Sequence, residues 1–522
     1  MREIERITIE ETGIPSILLM ENAAVRVTEH CLKALNGIKD PKVLVACGAG
    51  NNGGDGFAVA RHLYLKGIDV KVVLAGAIEA VKGDAKTNLD IIKNLGMEID
   101  LNFPAQKYDL IVDAIFGTGL TRDVEGSVRR LIEEINRYAK HIISVDIPSG
   151  VHSDTGHIMS CAVKASETVT LGYAKTGLYL YPGAEYTGII HVEDIGIPLS
   201  SFKSKSINIM TSTQILTESE AFNLLPARKR RSNKGDFGKV LVFSGSNEMP
   251  GAAALACSAA YMTGCGLVRA CVTPHTAQII HKWQREVVTR NVIEKNGMYC
   301  KDSLKDLDKE INDAGVIIIG PGIGRSGDVT EFVIELLKMV KAPVVLDADA
   351  LFAAAQDISV LKTLNVPCVI TPHPGEMSRL TALPVQQILD NTIAAASGFA
   401  KEFNVITLLK DAHTVIASPN GNVNINITGN NSLAKAGTGD ALAGMIAGFI
   451  AQLTAKSSLT ENKLKERQDM DEIKSNIFNA CVLGAYFHGK AGEAACVEKS
   501  NYSVTASDVI NQIPVVLINK NL

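Results

Sequence analysis

The feature that most constrains this chain is a repeated alternation of short apolar runs with segments of helical period. Four runs of Val, Ile and Leu lie in the first part of the 522 residues, each ending in Gly, Asp, Pro or Ser, at 42–47, 68–76, 108–117 and 141–150. Continuous apolar runs of this kind are typical of parallel strands buried on both faces by helices. The pattern therefore predicts an α/β fold. Ligands in such folds bind beyond the carboxyl ends of the strands.

A second series of apolar runs indicates a second α/β domain. Its runs lie at 238–246, 266–272, 315–324, 343–351, 367–376 and 404–414. The two series are separated by SSFKSKSINIMTSTQ, a stretch without core periodicity, and the length alone suggests roughly two to four domains. We predict two domains, 1–212 and 213–522. A charged segment at 454–475 is predicted to be a solvated excursion between two helices.

Charge and cysteine content favour small-molecule chemistry inside the cell. The chain carries 52 Lys and Arg against 56 Asp and Glu, a net charge of −4, so it offers no global field for nucleic acid or an anionic membrane. Its ten cysteines show no metal-binding spacing and are predicted to be reduced. The start lacks the order of a signal peptide, and no stretch is long enough to span a bilayer. We expect a cytoplasmic protein.

The first motif is a glycine-rich turn, GAGNNGGDG at 48–56, between a buried strand and a helix. Five glycines in nine residues allow the backbone to approach a phosphate and to direct N–H groups toward it. A tight loop with no ligand is the alternative, because the spacing is not that of the common dinucleotide fingerprint.

Two further strand ends are expected to meet this turn at the same edge of the sheet. One carries Asp113 and the other carries Asp146 and Ser149. Asn52, Asp113 and Ser149 supply hard oxygen ligands for an alkali or alkaline-earth cation. Asp146 is suited to acid/base work. Helix capping is the alternative interpretation of each of these side chains.

These motifs, GAGNNGGDG, VDAIFGTGL and SVDIPSGV, together with LLMENAA at 18–24, closely resemble the NAD(P)H-hydrate epimerase family over about residues 1–200. The resemblance implies a Rossmann-like three-layer domain in which Asn52, Asp113 and Ser149 bind potassium and Asp146 lies at the reacting nicotinamide ring. It also implies a set of residues that contact the hydrated nucleotide: Asn51, Asn52, Gly53, Gly54, Asp55, Gly117, Thr118, Gly119, Leu120, Thr121, Arg122 and Asp123. A related scaffold domain of messenger-RNA decapping lacks this chemistry, and the intact Asp146 and Asn52 argue against that role.

The second half contains GTGD at 437–440, directly before an apolar helix. Backbone N–H groups at such a helix start form an anion pocket, and Asp440 can accept a proton from a hydroxyl that is being phosphorylated. Supporting groups lie at 371–376 and 410–414, where Glu376 can organise a metal through water and Lys410 can pair with phosphate. An N-cap after a glycine turn, and a His373 that is only a loop residue, are the alternatives.

This constellation resembles the ribokinase-like superfamily. Within it, KGDFGKVLVFSGS, GPGIG, DADAL, TPHPGE, NITGN and AGTGDALAGMIAGFIAQ resemble the ADP-dependent NAD(P)H-hydrate dehydratases over about 215–522. Sugar kinases of the superfamily usually have Asn-x-x-Glu where this chain has His373-Pro-Gly-Glu376.

The resemblance implies three groups of site residues in the second domain. The hydrated nucleotide would contact Ala252, Gly322, His373 and Asp440, with Asp440 catalytic. ADP with Mg²⁺ would be bound by Lys410, Asp411, Ala412, His413, Thr414 and Gly439. The basic run 228–231 with Lys234 is interpreted as a solvated rim that attracts phosphate, and nucleic-acid binding is the alternative.

The two resemblances together predict a bifunctional enzyme of nicotinamide-nucleotide repair. It would epimerise the R and S hydrates of NADH and NADPH and dehydrate the S form at the expense of ADP. Its partners would be these small molecules, with potassium in the first domain, no nucleic acid or membrane, and a homo-oligomeric assembly. The alternatives are a vitamin or sugar kinase with an accessory domain and a non-catalytic nucleotide-binding protein.

Overall fold

The computed structural model describes residues 1–198, 213–455 and 467–518. They form two compact units, Met1–Asn208 and Ile209–Leu522. The predicted boundary at 212/213 borders a stretch outside the described residues and stays a prediction.

The first unit is a seven-stranded parallel sheet with helices on its faces. Its strands are β1 (Lys42–Cys47), β2 (Asp69–Leu74), β3 (Ile99–Asp100), β4 (Leu110–Ala114), β5 (Ile142–Val145), β6 (Glu167–Leu171) and β7 (Ile189–Glu193). Its helices are α1 (Arg2–Glu10), α2 (Ser16–Ala34), α3 (Asn51–Leu65), α4 (Gly83–Asn94) and α5 (Gly126–Tyr138). The strand order is 3-2-1-4-5-6-7, which reverses direction between β1 and β4, so a crevice opens beyond the carboxyl ends of these two strands.

Glycine packing brings the loops after β1 and β4 into backbone contact. A Cβ on Gly48 would lie 2.0 Å from the carbonyl oxygen of Ile115, and one on Gly53 would lie 1.8 Å from the carbonyl oxygen of Gly48. Larger residues would push the start of α3 away from the sheet. The glycine-rich turn therefore has a packing role whether or not it binds a ligand.

The second unit contains a nine-stranded sheet and a short hairpin. Its strands are β8 (Lys239–Phe243), β9 (Leu267–Val272), β10 (Val288–Asn291), β11 (Glu294–Lys295), β12 (Met298–Tyr299), β13 (Val316–Ile319), β14 (Val344–Leu346), β15 (Cys368–Ile370), β16 (Ile406–Leu409), β17 (Thr414–Ala417) and β18 (Val423–Asn426). The order is 10-9-8-13-14-15-16-17-18, and neighbours pair in parallel except that β17 is antiparallel to both β16 and β18. The antiparallel β11 and β12 form the hairpin.

Thirteen helices of the second unit lie within the described residues. They are α6 (Glu218–Leu224), α7 (Pro250–Met262), α8 (Pro274–Trp283), α9 (Asp308–Asn312), α10 (Gly327–Met339), α11 (Asp349–Gln356), α12 (Ser359–Lys362), α13 (Pro374–Thr381), α14 (Val385–Asp390), α15 (Thr392–Phe403), α16 (Thr438–Thr454), α17 (Arg467–Lys499) and α18 (Ala506–Val516). Helix α16 is buried along most of its length and packs against α7 and α17.

The predicted α/β class with two parallel sheets is confirmed, and the apolar runs of both series form strands at the expected places. Four kinds of strand were not predicted. Strand β17 begins at Thr414, where the predicted run 404–414 ends. Strands β6, β7 and β18 alternate polar and apolar residues, and β3, β11 and β12 have two residues each. Strand β10 is largely exposed.

The prediction for 454–475 is wrong in its last part. Helix α17 begins at Arg467, and Ile473 is buried in the core that α16 and α17 share, because an apolar face needs only every third or fourth residue. The middle, 456–466, lies outside the described residues.

All ten cysteines are free thiols and eight are buried, as predicted. No helix in the described parts of the chain is both long enough and apolar enough to span a membrane.

We expect Gly444→Ala to destabilise the second unit, because its Cβ would lie 2.3 Å from the carbonyl oxygen of Ala256 on α7. Overpacking of this kind costs about 1–3 kcal/mol. Gly398→Ala is the matched control, because Gly398 also lies inside a helix but has nothing within 4 Å of its Cβ position. There we expect a gain of up to about 1 kcal/mol. Thermal unfolding measures both, and equal effects would contradict this packing.

Candidate functional site

In the first unit a cleft of about 760 Å³ opens at the carboxyl ends of β1, β4 and β5. It lies where the strand order reverses, as expected for an open α/β sheet. The cleft is lined by residues of the loops after β1, β4 and β5 and by apolar residues of α2. Among the predicted site residues, those that line it are Asn51, Asn52, Asp55, Gly117, Thr118, Gly119, Leu120, Thr121, Arg122 and Asp146.

Three predicted nucleotide contacts do not line this cleft. Gly53 and Gly54 are buried in α3, where Gly53 faces the backbone of Gly48 and Gly54 faces Met20. Asp123 is exposed at the end of its loop.

The predicted cation ligands Asp113 and Ser149 are in direct contact. The Ser149 N–H donates to Oδ2 of Asp113 at 2.8 Å and its hydroxyl donates to Oδ1 at 2.6 Å. The N–H of Phe116 donates to the same hydroxyl at 2.8 Å. Burial raises the pKa of Asp113, and the hydrogen bonds from Ser149 and Ser144 partly offset the rise.

Asn52 reaches this cluster from the start of α3. Its Oδ1 lies 3.1 Å from the position that a Cβ on Gly117 would take, and its Nδ2 is buried without a hydrogen-bond partner among the described residues. A buried amide without a partner is unusual in a folded protein. With one carboxylate, one hydroxyl and one amide, the donor set fits a weakly hydrated monovalent cation.

Asp146 follows β5 with a φ of 68°, in the left-handed region that non-glycine residues seldom adopt. Its Oδ1 accepts a hydrogen bond from the N–H of Leu171 at 3.1 Å. The same oxygen forms an ion pair with the ammonium of Lys175. Lys175 is 6% exposed and also donates to Thr170 Oγ1 at 3.1 Å and to the Leu171 carbonyl at 2.9 Å. Among the described residues every hydrogen bond to the carboxylate goes to Oδ1, so Oδ2 is available for a substrate proton.

Asp55 provides a second carboxyl group in the cleft. Burial, and after it the charge of Asp146, raise the pKa of Asp55 well above its usual value. Asp55 therefore keeps its proton to higher pH than an ordinary carboxyl group does, and the Lys175 ammonium forms an ion pair with Asp146. Two carboxyl groups in such different surroundings are suited to proton transfer.

In the second unit the anion site forms where α16 begins. Gly437 has a φ of 91°, and its turn directs the first N–H groups of α16 outward. Gly439 lies beside charged groups, because a Cβ on it would be 3.6 Å from Lys410 Nζ and 3.9 Å from Asp347 Oδ2. Helix amides, an ammonium and carboxylates thus meet at one point, as predicted for GTGD and Lys410.

Lys410 is held by two carboxylates. Its Nζ donates to Asp347 Oδ1 at 2.9 Å and lies 3.9 Å from Glu376 Oε2. Burial opposes its charge, but Asp347 and Glu376 outweigh that effect and raise the pKa of Lys410. Burial, and then the charge of Asp347, raise the pKa of Asp440 to about 6. Asp440 can therefore exchange a proton near neutral pH.

The remaining predicted residues of the second unit fall into two places. Gly322 and Ala252 are neighbours, because a Cβ on Gly322 would lie 2.8 Å from the Cβ of Ala252. Asp411, Ala412, His413 and Thr414 follow Lys410 in the turn between β16 and β17, where Asp411 and Ala412 are exposed.

His373 has a structural role that the sequence analysis set out as an alternative. It caps α13, where its Nδ1 accepts the N–H of Gly375 at 3.0 Å and Glu376 Oε2 accepts the N–H of His373 at 2.9 Å. Burial lowers the pKa of His373, which keeps Nδ1 free to accept.

Arg228, the first residue of the basic run, also has a structural partner. Its guanidinium lies 3.9 Å from the centre of the Phe237 ring, and the rest of the run is exposed.

The sequence analysis missed three residues of these sites. Lys175 follows the unpredicted strand β6, Asp347 ends β14 inside the quoted DADAL, and His488 of α17 hydrogen-bonds the backbone of Thr438. A polar residue after an apolar run would have indicated Asp347. Only the packing of α17 on α16 brings His488 to the site.

Comparisons with known proteins cover both units. A family described as NAD(P)H-hydrate dehydratase matches residues 240–515, and one described as YjeF-related protein N-terminus matches 16–177. An ADP/ATP-dependent NAD(P)H-hydrate dehydratase of Bacillus subtilis, co-crystallised with ATP and Mg²⁺, is 28% identical with a TM-score of 0.46, covering 58% of this chain and 98% of that one.

Whole-length relatives carry both units. The bifunctional NAD(P)H-hydrate repair enzyme Nnr of Moorella thermoacetica is 38% identical over 531 residues, covering 99% of this chain and 96% of the relative. The enzyme of the same name from Thermofilum pendens is 33% identical over 521 residues, covering 98% and 94%. The chain therefore belongs to the family of bifunctional NAD(P)H-hydrate repair enzymes.

Proposed function

We propose that the first unit interconverts the R and S hydrates of NADH and NADPH at C6, and that the second restores NAD(P)H from the S hydrate by phosphoryl transfer from ADP. The observation that carries this division is the convergence of Lys410, Asp440 and the start of α16 around Gly439. That arrangement suits phosphoryl transfer, whereas the cleft of the first unit offers acid/base chemistry alone.

In the first unit Asp146 is the acid/base that moves the proton of the 6-hydroxyl. C6 bears both this hydroxyl and the ring nitrogen, so its configuration is lost when the hydroxyl is deprotonated and the C6–N1 bond opens. The Lys175 ammonium positions Asp146. Asp55, whose pKa is raised well above its usual value by burial, lies in the same cleft and donates a hydrogen bond to the bound hydrate. Among the predicted contacts at 51–55 and 117–123, we assign the hydrated nucleotide to those that line the cleft.

Asn52, Asp113 and Ser149 would hold potassium in the first unit. The ion would supply charge compensation for buried Asp113 and hold together the loops after β1, β4 and β5. One carboxylate with two neutral oxygen donors gives the donor set a low charge, which supports this assignment.

In the second unit Asp440 accepts the proton of the 6-hydroxyl. The hydroxyl oxygen attacks the β-phosphorus of ADP, and AMP leaves. The C6–O bond of the phosphorylated hydrate then breaks, the C5 proton is lost, and phosphate departs as the 5,6 double bond returns. Lys410 and the N–H groups at the start of α16 stabilise the transferring phosphoryl group. We assign ADP to residues 410–414 with Gly439, and the hydrate to Ala252, Gly322, His373 and Asp440.

ADP would enter with Mg²⁺, which would neutralise phosphate charge near Glu376 and Asp440. Their carboxylate oxygens are the hard donors that this ion takes, alongside water and substrate phosphate. We further propose a cytoplasmic homo-oligomer. The alternative is a kinase that leaves the phosphate on a stable acceptor. Detection of free phosphate as a product would exclude this alternative.

Asp146→Asn and Asp440→Asn should separate the two activities on a mixture of R and S hydrates. Each amide keeps the size of the acid but cannot take a proton, so the affected activity should fall about 10²–10⁴-fold. The Asp440→Asn chain should equilibrate the epimers and form no NADH. The Asp146→Asn chain should consume the S form with ADP and then stall. NADH absorbance and chiral separation of the hydrates follow both reactions.

Adding the Asp440→Asn chain to the stalled reaction should restart it, because each protein supplies the unit that the other lacks. A reaction that stays stalled with both proteins folded would contradict the division of labour.

Replacing potassium with tetramethylammonium should slow epimerisation roughly tenfold to hundredfold, because the loops that carry Asn52 and Ser149 lose their shared ligand. Asn52→Leu should be slow in both salts. Asn94→Leu, at an exposed position of α4, is the control and should respond as the unaltered chain does. Epimerisation rates that do not depend on potassium would contradict the assignment of a potassium ion to this site.

Dehydratase kcat/KM should fall as pH drops through about 6, because the base must be ionised and the pKa of Asp440 is raised to about 6. Removing the negative charge of Asp347 with Asp347→Asn should move this acid limb to lower pH. Lys410→Met should move it to higher pH, since the ammonium favours the ionised carboxylate. Asp357→Asn, at an exposed position, should leave the limb in place. A limb unmoved by both site variants would exclude Asp440 as the titrating base.

A further inference from the structure

A cluster of three histidines and two glutamates lies in the first unit, outside the residues assigned to epimerisation. His30 belongs to α2, His141 precedes β5, Glu167 starts β6, and His191 and Glu193 belong to β7. In the parallel register Glu167 pairs with Ile189 and Leu171 with Glu193, so Glu167, His191 and Glu193 share one face of the sheet. Helix α2 reaches this face through His30.

Glu167 is the centre of the cluster. Its Oε1 lies 2.9 Å from His141 Nε2, and its Oε2 lies 2.8 Å from His191 Nε2 and 3.9 Å from His30 Nδ1. The rings of His30 and His191 have centroids 4.2 Å apart. Potential ligand atoms of His30, Glu167 and His191 all lie within 4.8 Å of one another, and no other such set occurs among the residues that the structure describes.

Glu193 orients the first of these ligands. His30 Nε2 lies 2.9 Å from Glu193 Oε1, so a proton on Nε2 leaves the lone pair of Nδ1 directed into the cluster beside Glu167. A carboxylate that accepts the remote N–H of a histidine is the usual second partner of a metal-binding imidazole.

Burial and charge also favour a cation here. The His30 side chain is 8% exposed and that of Glu167 19%, whereas His191 at 29% gives access from solvent. With neutral imidazoles the two glutamates carry two negative charges, and Arg26 lies 3.8 Å from Glu193 Oε2. These charges sum to −1, so the cluster attracts a cation. Two imidazoles and one carboxylate suit zinc and similar divalent transition metals better than calcium or magnesium.

We propose that His30, Glu167 and His191 bind one divalent transition-metal ion of the zinc class, with water completing its coordination. The ion fixes α2 on β6 and β7. Because α2 also lines the cleft through Leu19, Met20 and Ala23, metal binding stabilises one wall of the epimerase site. A hydrogen-bonded ion-pair network without metal is the competing explanation.

The test uses the full chain without an affinity tag, stripped with a chelator, reduced, and titrated with Co²⁺ or Zn²⁺ in excess Mg²⁺. We expect one bound equivalent, no thiolate-to-cobalt charge-transfer band, and a higher midpoint of thermal unfolding. His30→Gln and His191→Gln should lose the bound equivalent, and Glu193→Gln should bind about 10–100-fold more weakly. His157→Gln is the matched control, because His157 is an exposed histidine of the same unit.

If circular dichroism shows that a histidine variant is misfolded, Glu167→Gln takes its place. This substitution preserves the size of the side chain and should also lose the bound ion. The proposal is overturned if the unaltered chain retains no ion and its unfolding midpoint does not move. It is also overturned if the folded variants bind as the unaltered chain does, or if a thiolate band places the ion on cysteine.

Discussion

In each unit the candidate site depends on one buried lysine held among carboxylates at the carboxyl ends of parallel strands. Lys175 pairs with Asp146 in the first unit, and Lys410 pairs with Asp347 in the second. An isolated charge in such a place is costly, so the ammonium and the carboxylate must be buried together. Each pair offsets part of that cost, and a carboxyl group with a raised pKa lies close by, Asp55 in the first unit and Asp440 in the second.

This pairing explains why the two sites differ in what they can do. In the first unit the Lys175 ammonium donates its three hydrogens to Asp146, Thr170 and Leu171, which fixes it beside Asp146. In the second unit Lys410 lies beside Gly439 at the start of α16, where helix N–H groups can receive a phosphoryl group. The same pair of residue types thus supports proton transfer in one fold and phosphoryl transfer in the other.

Glycine determines how closely these groups approach one another. Gly48 and Gly53 let the loops after β1 and β4 touch, which brings Asn52 to the strand-end cluster of Asp113 and Ser149. Gly444 and Gly448 let α16 lie against the backbone and side chains of α7, which places Asp440 at the mouth of its site. A methyl group at these positions would displace the site side chains as well as the packed backbone.

The sequence by itself determined the α/β class, the two units, most central strands and the residues at strand ends, because buried parallel strands need continuous apolar runs and polar residues follow where the runs stop. Asp113, Asp146 and Ser149 were predicted as site residues in this way, and Asp440 was predicted from the GTGD turn before an apolar helix. Only the tertiary structure decided which groups pair across the sheet. Lys175, His488 and the His30 cluster come from strands with alternating polarity and from helices distant in sequence. Their contacts depend on register and packing, which no local pattern records.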